Sequence, residues 1–299
     1  MAAKSKRLGV SPWWAVLFIG PALLGMTVFY YYPAIRTFWL SFTTASVFGT
    51  DVKFVGLDNY LELFSNSELW LAFRNTLIYS SLSLLVIPLA TIIAVLLNTK
   101  GLKGIGVYRT LYFLPVVTLP AVVAIVWRYM YNGDFGILNQ VLGLVGIHGG
   151  SWLTNPHTVM FAIVTVGIWM ALGTNIVILL AGLQAIPDTS LEAAKMDGAG
   201  PIRTFFSITV PLLSPSLFLT SVLAVIAGLQ MFDLIYLLGG SAGTPGYDES
   251  VTLVSLFYKV AFADNRTGAA AAIGLVLMLF ILALTAFQFR MQKKWVHYE

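Results

Sequence analysis

Long apolar stretches, almost free of charge, constrain this chain more than any other feature. A helix needs about 20 mostly apolar residues to cross the ~30 Å hydrocarbon layer of a bilayer. Six segments meet that length: 13–32, 76–97, 110–131, 159–183, 212–238 and 269–289. Over the 299 residues only 10% are Asp, Glu, Lys or Arg, and the mean hydropathy is +0.85. Ordinary soluble domains carry roughly a quarter charged residues. Too little charge remains here for a water-facing skin, so lipid must be the solvent over most of the surface. The expectation is a single all-α membrane domain over 1–299 with six transmembrane helices.

Lys4, Lys6 and Arg7 precede the first span, as they would in a signal peptide. However, its apolar stretch is long, and Tyr30, Tyr31, Tyr32 and Pro33 occupy the place where a small-residue cleavage site would stand. That pattern suits an aromatic interface belt on an uncleaved helix. With the N-terminus in the cytoplasm, the inner segments hold 11 Lys and Arg against 6 outside. The positive-inside bias is satisfied, and both termini then lie in the cytoplasm. The net charge of +4 is scattered over helix ends, not gathered in a stripe, which argues against nucleic-acid binding. The absence of cysteine excludes disulfides and thiolate chemistry. His148, His157 and His297 are isolated loop or tail residues and make no metal constellation.

Most of the chemical information sits in the inner loop 187–211, which opens PDTSLEAAKMDGAGPIRTFFSITVP. Thr189 followed by Glu192 is a capping-box spacing, predicting a helix that Gly198 and Gly200 end. Pro201 then suits the first turn of a second short helix, running to about Ser207. A helix lying on a membrane should present a basic, strongly amphipathic face. This one is small and nearly neutral, which fits a projecting knob better than an interfacial connector.

Glu192-Ala193-Ala194, Asp197-Gly198-Ala199, Phe205, Ile208 and Pro211 resemble the EAA loop of bacterial ABC importer permeases. FVGLDNY (54–60), RTLYFLPVV (109–117), GILNQVLGLVG (136–146) with Trp152, and FDLIYLLGG (232–240) are similar to the carbohydrate branch of that family, which handles maltose-like sugars and glycerol-3-phosphate. The turn GGSAGTPG is slightly longer than the family's usual one. The resemblance implies the type I permease fold and assigns ATPase coupling to Glu192, Ala193, Ala194, Asp197, Gly198, Ala199 and Gly200. It also implies a second homologous permease, a dimer of ATPase subunits that binds ATP and Mg, an extracytoplasmic solute-binding protein and a sugar-like solute. No cofactor is expected in this chain itself, because no G-x-x-x-x-G-K-[ST] phosphate loop is present.

Polar residues inside spans are functional candidates by default. Trp169 and Asn175 on the fourth span could stack on and hydrogen-bond a sugar. On the fifth, Gln230 and Asp233 are three apart and would share a helix face. Asp233 could instead pair with Arg128 or a backbone group and fix packing. The family's solute contacts fall near Trp169 and around Ala227, Gly228 and Met231, the latter set being small or apolar here. Gly167, Gly173, Gly274 and Ala269–Ala272 read as close-packing positions. The function expected is the pore-forming subunit of a sugar importer; a glycerol-3-phosphate or polyol importer is the alternative. A proton-coupled carrier using Asp233 is the rival from another class, disfavoured because no internal repeat is visible.

Overall fold

The computed structural model describes residues 12–46, 52–99, 101–147, 149–240 and 243–296. Lys4, Lys6, Arg7, Lys100, His148, His297 and part of the GGSAGTPG turn lie outside them. Among the described residues the fold is helical, apart from one isolated antiparallel bridge between Thr43 and Phe54.

Four helices are long and apolar enough to cross a membrane unbroken: α1 (Val16–Leu40), α3 (Ser67–Leu97), α7 (Val159–Gln184) and α14 (Thr267–Trp295). Two more crossings are bent pairs. α4 (Ile105–Val117) and α5 (Pro120–Met130) meet at 102°, and α9 (Pro201–Leu212) and α10 (Ser214–Leu229) at 70°. Counting each pair as one crossing gives six, as the hydropathy pattern predicts. Between them lie the shorter helices α2 (Asp58–Ser65), α6 (Ile137–Gly143), α8 (Asp188–Met196), α11 (Asp233–Leu238), α12 (Tyr247–Ser250) and α13 (Leu253–Ala263).

The ends of several spans differ from the apolar pattern. α3 starts nine residues before 76, where the Asn66 side chain accepts from the Glu68 N–H at 2.9 Å and caps the first turn. Hydropathy does not register such a polar extension of a helix. The third crossing is not one rod over 110–131, because Pro120 disfavours helical backbone at the residue before it. Leu119 is accordingly extended (φ −63°, ψ 133°). The fifth bends at Leu213, since Pro215 has no N–H to offer the Pro211 carbonyl one turn back. It then breaks again at Gln230–Phe232, so the segment 212–238 is two helices.

α3, α7 and α10 form the centre of the bundle, with Tyr79, Ala90, Ile163, Ile176, Leu213 and Leu229 fully buried among them. Close approach depends on small residues. A Cβ at Gly173 would come within 2.5 Å of the Tyr112 carbonyl, so α4 can lie on α7 only with glycine there. Gly167 gives way to the Tyr79 hydroxyl in the same manner, whereas a Cβ at Gly274 would make ordinary contacts. Ala270, Ala271 and Ala272 are buried. α1 buries none of its described side chains.

One end of the bundle is laced by polar contacts between distant segments. In the FVGLDNY stretch the Asn59 amide donates to the Ser41 and Thr43 carbonyls (2.8 and 3.0 Å), and the Tyr60 hydroxyl to Ser41 Oγ (2.7 Å). Asn75 Nδ2 donates to the Asp248 and Val251 carbonyls (2.8 and 3.0 Å). Thr76 Oγ1 accepts from the Leu253 N–H at 2.9 Å. Lys259 pairs with Glu68 at 2.7 Å and Arg266 grips Glu62 with its two terminal guanidinium nitrogens. That grip holds the Glu62 carboxyl below its usual range, while burial and the neighbouring Glu68 carboxylate push the Tyr247 phenol up to about 12. Asn139 of GILNQVLGLVG donates to the Gly133 and Gly150 carbonyls and accepts from Trp152 Nε1 at 2.8 Å. These motifs tie down connections.

Candidate functional site

At the opposite end, α8 stands as an exposed corner. Pro187 is extended (φ −60°, ψ 130°) and closes off the fourth crossing, so the helix begins at Asp188. Thr189 is therefore the second helical residue and not a cap. Glu192 makes no hydrogen bond or ion pair among the described residues, which corrects the capping-box expectation. The other end of α8 stops as the glycines predict. Gly198 takes φ +72°, its N–H reaches the Lys195 carbonyl (3.1 Å), and the Ala199 N–H reaches Ala194 (2.9 Å). This 5→2 and 6→1 pair is a Schellman stop, which needs a left-handed residue that glycine supplies without strain. Gly200 is extended, and Pro201 starts α9, which runs on through a π-helical turn over Phe205–Thr209 rather than ending at Ser207.

Ala194 is the one buried residue of α8. Glu192, Ala193, Lys195, Met196, Asp197, Gly198 and Gly200 are exposed, and Ala199 is half-buried. Met196 is 88% exposed, and Ile202 and Phe206 beyond the corner are exposed as well. The corner thus carries apolar tips, small residues and a carboxylate with no internal partner.

The second candidate is a cavity of about 250 Å³ at the middle of the bundle, between α3, α7 and α10. Asn175, Gly228 and Met231 line it, together with Tyr79, Ser83 and Thr174. Asn175 donates to the Ala171 carbonyl one turn back at 2.9 Å. A Cβ at Gly228 would sit 2.8 Å from Ser83 Oγ, so this glycine brings α10 against α3 at the cavity wall.

Trp169, Gln230 and Asp233 do not line the cavity. Trp169 is half-buried and edge-on to Trp127, with ring centroids 5.8 Å apart. Gln230 terminates α10 and Asp233 opens α11, so the break between them removes the shared face that a continuous helix would give. Both are exposed. Arg128 does not pair with Asp233; its guanidinium donates to the Leu237 carbonyl. Tyr79, Ser83 and Thr174 escape a search for costly polar groups. The Ser83 hydroxyl, for one, satisfies itself on the Ser80 carbonyl within its own helix (2.8 Å). Among the described residues, no group of His, Asp and Glu is placed to hold a metal ion.

A bundle with six apolar crossings, a small polar-dotted cavity at mid-depth and a projecting helical corner at one end has the architecture of a membrane transport component. The chain belongs to the family of inner membrane components of binding-protein-dependent transport systems, matched over residues 87–297. It is 34% identical over 297 residues to the sn-glycerol-3-phosphate transport system permease protein UgpA of Yersinia enterocolitica, covering 99% of both chains. It is 35% identical over 271 residues to the arabinooligosaccharides transport system permease protein AraP of Bacillus subtilis (90% of this chain, 85% of the relative). Its fold matches a subunit of a bacterial ABC transporter involved in the import of the acidic polysaccharide alginate. The TM-score is 0.84 at 24% identity, over 94% of this chain and 96% of that one. The chain is thus a multi-pass inner-membrane permease subunit.

Proposed function

We propose that this subunit pairs with a second, homologous permease to enclose a path for a neutral mono- or oligosaccharide. A dimer of ATPase subunits, which holds the ATP and Mg, docks on the α8 corners, and an extracytoplasmic binding protein delivers the solute. Both termini and α8 then face the cytoplasm, and the laced end carrying α2, α12 and α13 faces outward, in keeping with the Lys and Arg asymmetry. Closure of the ATPases would swing α8 as a rigid element and switch the path between inward- and outward-facing forms. Lipid covers the remaining apolar surface.

The single observation that carries this reading is the α8 corner. It is stopped internally by its own Schellman motif and exposed on nearly all sides, with the Glu192 carboxylate unpaired among the described residues. The solute class rests on the mid-depth cavity, whose polar groups are hydroxyls and one amide from Tyr79, Ser83, Thr174 and Asn175, with no cation. Such a lining suits a polyol ring better than a phosphate. Relatives named for arabinooligosaccharides support it, and those named for sn-glycerol-3-phosphate keep the phosphorylated solute as the second reading.

The test is uptake by the assembled transporter in proteoliposomes. Asn175→Ala should reduce saccharide uptake about fivefold or more, with assembly and basal ATP hydrolysis kept. Uptake of a saccharide by the permease alone under a proton gradient would overturn the ATP-driven assignment in favour of a carrier.

A further inference from the structure

Two segments at the outward end contribute aromatic pairs four residues apart: Phe232, which precedes the first turn of α11, with Tyr236 inside it, and Tyr258 with Phe262 in α13. The four rings join into one continuous ladder. Phe232 and Tyr236 are stacked at 5.2 Å with 24° between planes; Tyr258 stands 5.1 Å from each of them; Phe262 stands 5.0 Å from Tyr258. Packing of the bundle does not require this wall. α11 turns Leu234, Ile235 and Leu238 into the core and leaves Tyr236 47% exposed, and Phe262 is 61% exposed. Beside the ladder lies a separate cavity of about 250 Å³, lined by Tyr236 and Tyr258 and, among others, Tyr247, Ser255 and Lys259. Lys259 is held there by its pair with Glu68, so its charge is neutralised where it meets the cavity.

The ladder also continues the mid-depth cavity. The wall that the fifth crossing gives to that cavity ends at Gly228 and Met231, and the ladder begins at the next residue, Phe232. The break at Gln230–Phe232 is what redirects the chain between the two.

We propose that the Phe232–Tyr236–Tyr258–Phe262 ladder and its adjoining cavity form a second, outer saccharide site, where a sugar ring stacks by its apolar C–H face before reaching mid-depth. Aromatic faces offer broad apolar contact and, in tyrosine, a polar handle at the rim, which is the combination that a ring with hydroxyls at its edge can use. The rings are locked by one another and lose little freedom on binding, so the site is preorganised. A linear anion such as glycerol-3-phosphate has no ring face to stack and gains nothing from it.

This inference rests on the saccharide reading of the path, and the experiment separates the two. The probes are arabinotriose, maltotriose and raffinose, with sn-glycerol-3-phosphate as the ringless control. The assembled transporter in nanodiscs carries 3-fluorotyrosine at Tyr258, which keeps the ring and reports contact through its fluorine shift. A saccharide that supports uptake should shift that signal saturably in the absence of the binding protein. Tyr236→Ala should raise the apparent Kd about fivefold, and Tyr236→Phe should restore it. Glycerol-3-phosphate should leave the signal unmoved. Basal ATP hydrolysis should be the same in all variants, since the ladder lies at the end of the bundle away from α8. If a saccharide supports uptake but leaves the fluorine signal unmoved, or Phe is as impaired as Ala, the outer site is wrong while the saccharide path stands. If none of the saccharides is taken up, the saccharide reading fails and the ladder proposal with it.

Discussion

The two ends of this bundle are built by opposite means. At the laced end, Asn59, Asn75, Asn139 and Thr76 each bond backbone groups of a distant segment, and two ion pairs cross between connections. Polar side chains there are consumed in holding the chain to itself. At the α8 end the corner is closed by the backbone bonds of the Schellman stop, with the Thr204 hydroxyl on the Gly200 carbonyl, and the Glu192 carboxylate is left over. An end that uses up its polar groups internally is specified as a scaffold. An end that leaves them unspent has its specification finished by another surface.

The comparison breaks most visibly if α8 is removed. Deleting 189–199 should leave membrane insertion intact and abolish copurification of the ATPase, because few internal contacts depend on the helix. Wild-type ATPase stoichiometry in the deleted protein would show that docking lies elsewhere. Next in size is Asn75→Ala at the laced end. Asn75 is 1% exposed, and its loss strands the Asp248 and Val251 carbonyls. Leaving such acceptors unsatisfied costs about 1–3 kcal/mol, so the thermal denaturation temperature should fall clearly while the ATPase still binds. The smallest and sharpest test is Glu192→Gln. With no cap bond to lose, this substitution should leave stability unchanged. A charge-assisted contact is roughly twice as strong as a neutral one, so solute-stimulated ATP hydrolysis should drop several-fold. Normal stimulation would shift the docking contact from the Glu192 carboxylate to the Ala193–Gly200 surface.

The sequence makes the two ends unequally legible. The α8 corner could be read almost residue by residue, because Pro187, Gly198 and Pro201 act locally on backbone angles. Two expectations failed there: the capping box, because the cap position falls at Pro187, two residues before Thr189, and the end at Ser207, because the next helix runs on through a π-helical turn. At the laced end the motifs FVGLDNY and GILNQVLGLVG stand out as patterns. What they do is set by partners 6 to 19 positions away, and for Asn75 by partners 173 and 176 positions away, which no local rule supplies. The mid-depth lining divides in the same way. Asn175, Gly228 and Met231 were recognisable as candidates, but Trp169 turned to Trp127, and the break at Gln230–Phe232 separated Gln230 from Asp233. Hydrophobic period cannot register a break that preserves apolarity.

The bare flank of α1 has a consequence for how the molecule is made. Its principal helical partner is α14, and Gly268 at the start of α14 is the glycine whose Cβ would collide with the Thr43 carbonyl just past α1. Thr267 follows Leu40 by 227 positions. At ribosomal speeds of ~5–20 residues per second α1 must wait roughly 10–45 s for α14. Until then it sits in lipid without that neighbour, so any arrest before α14 emerges leaves α1 still unassembled and open to quality-control proteolysis.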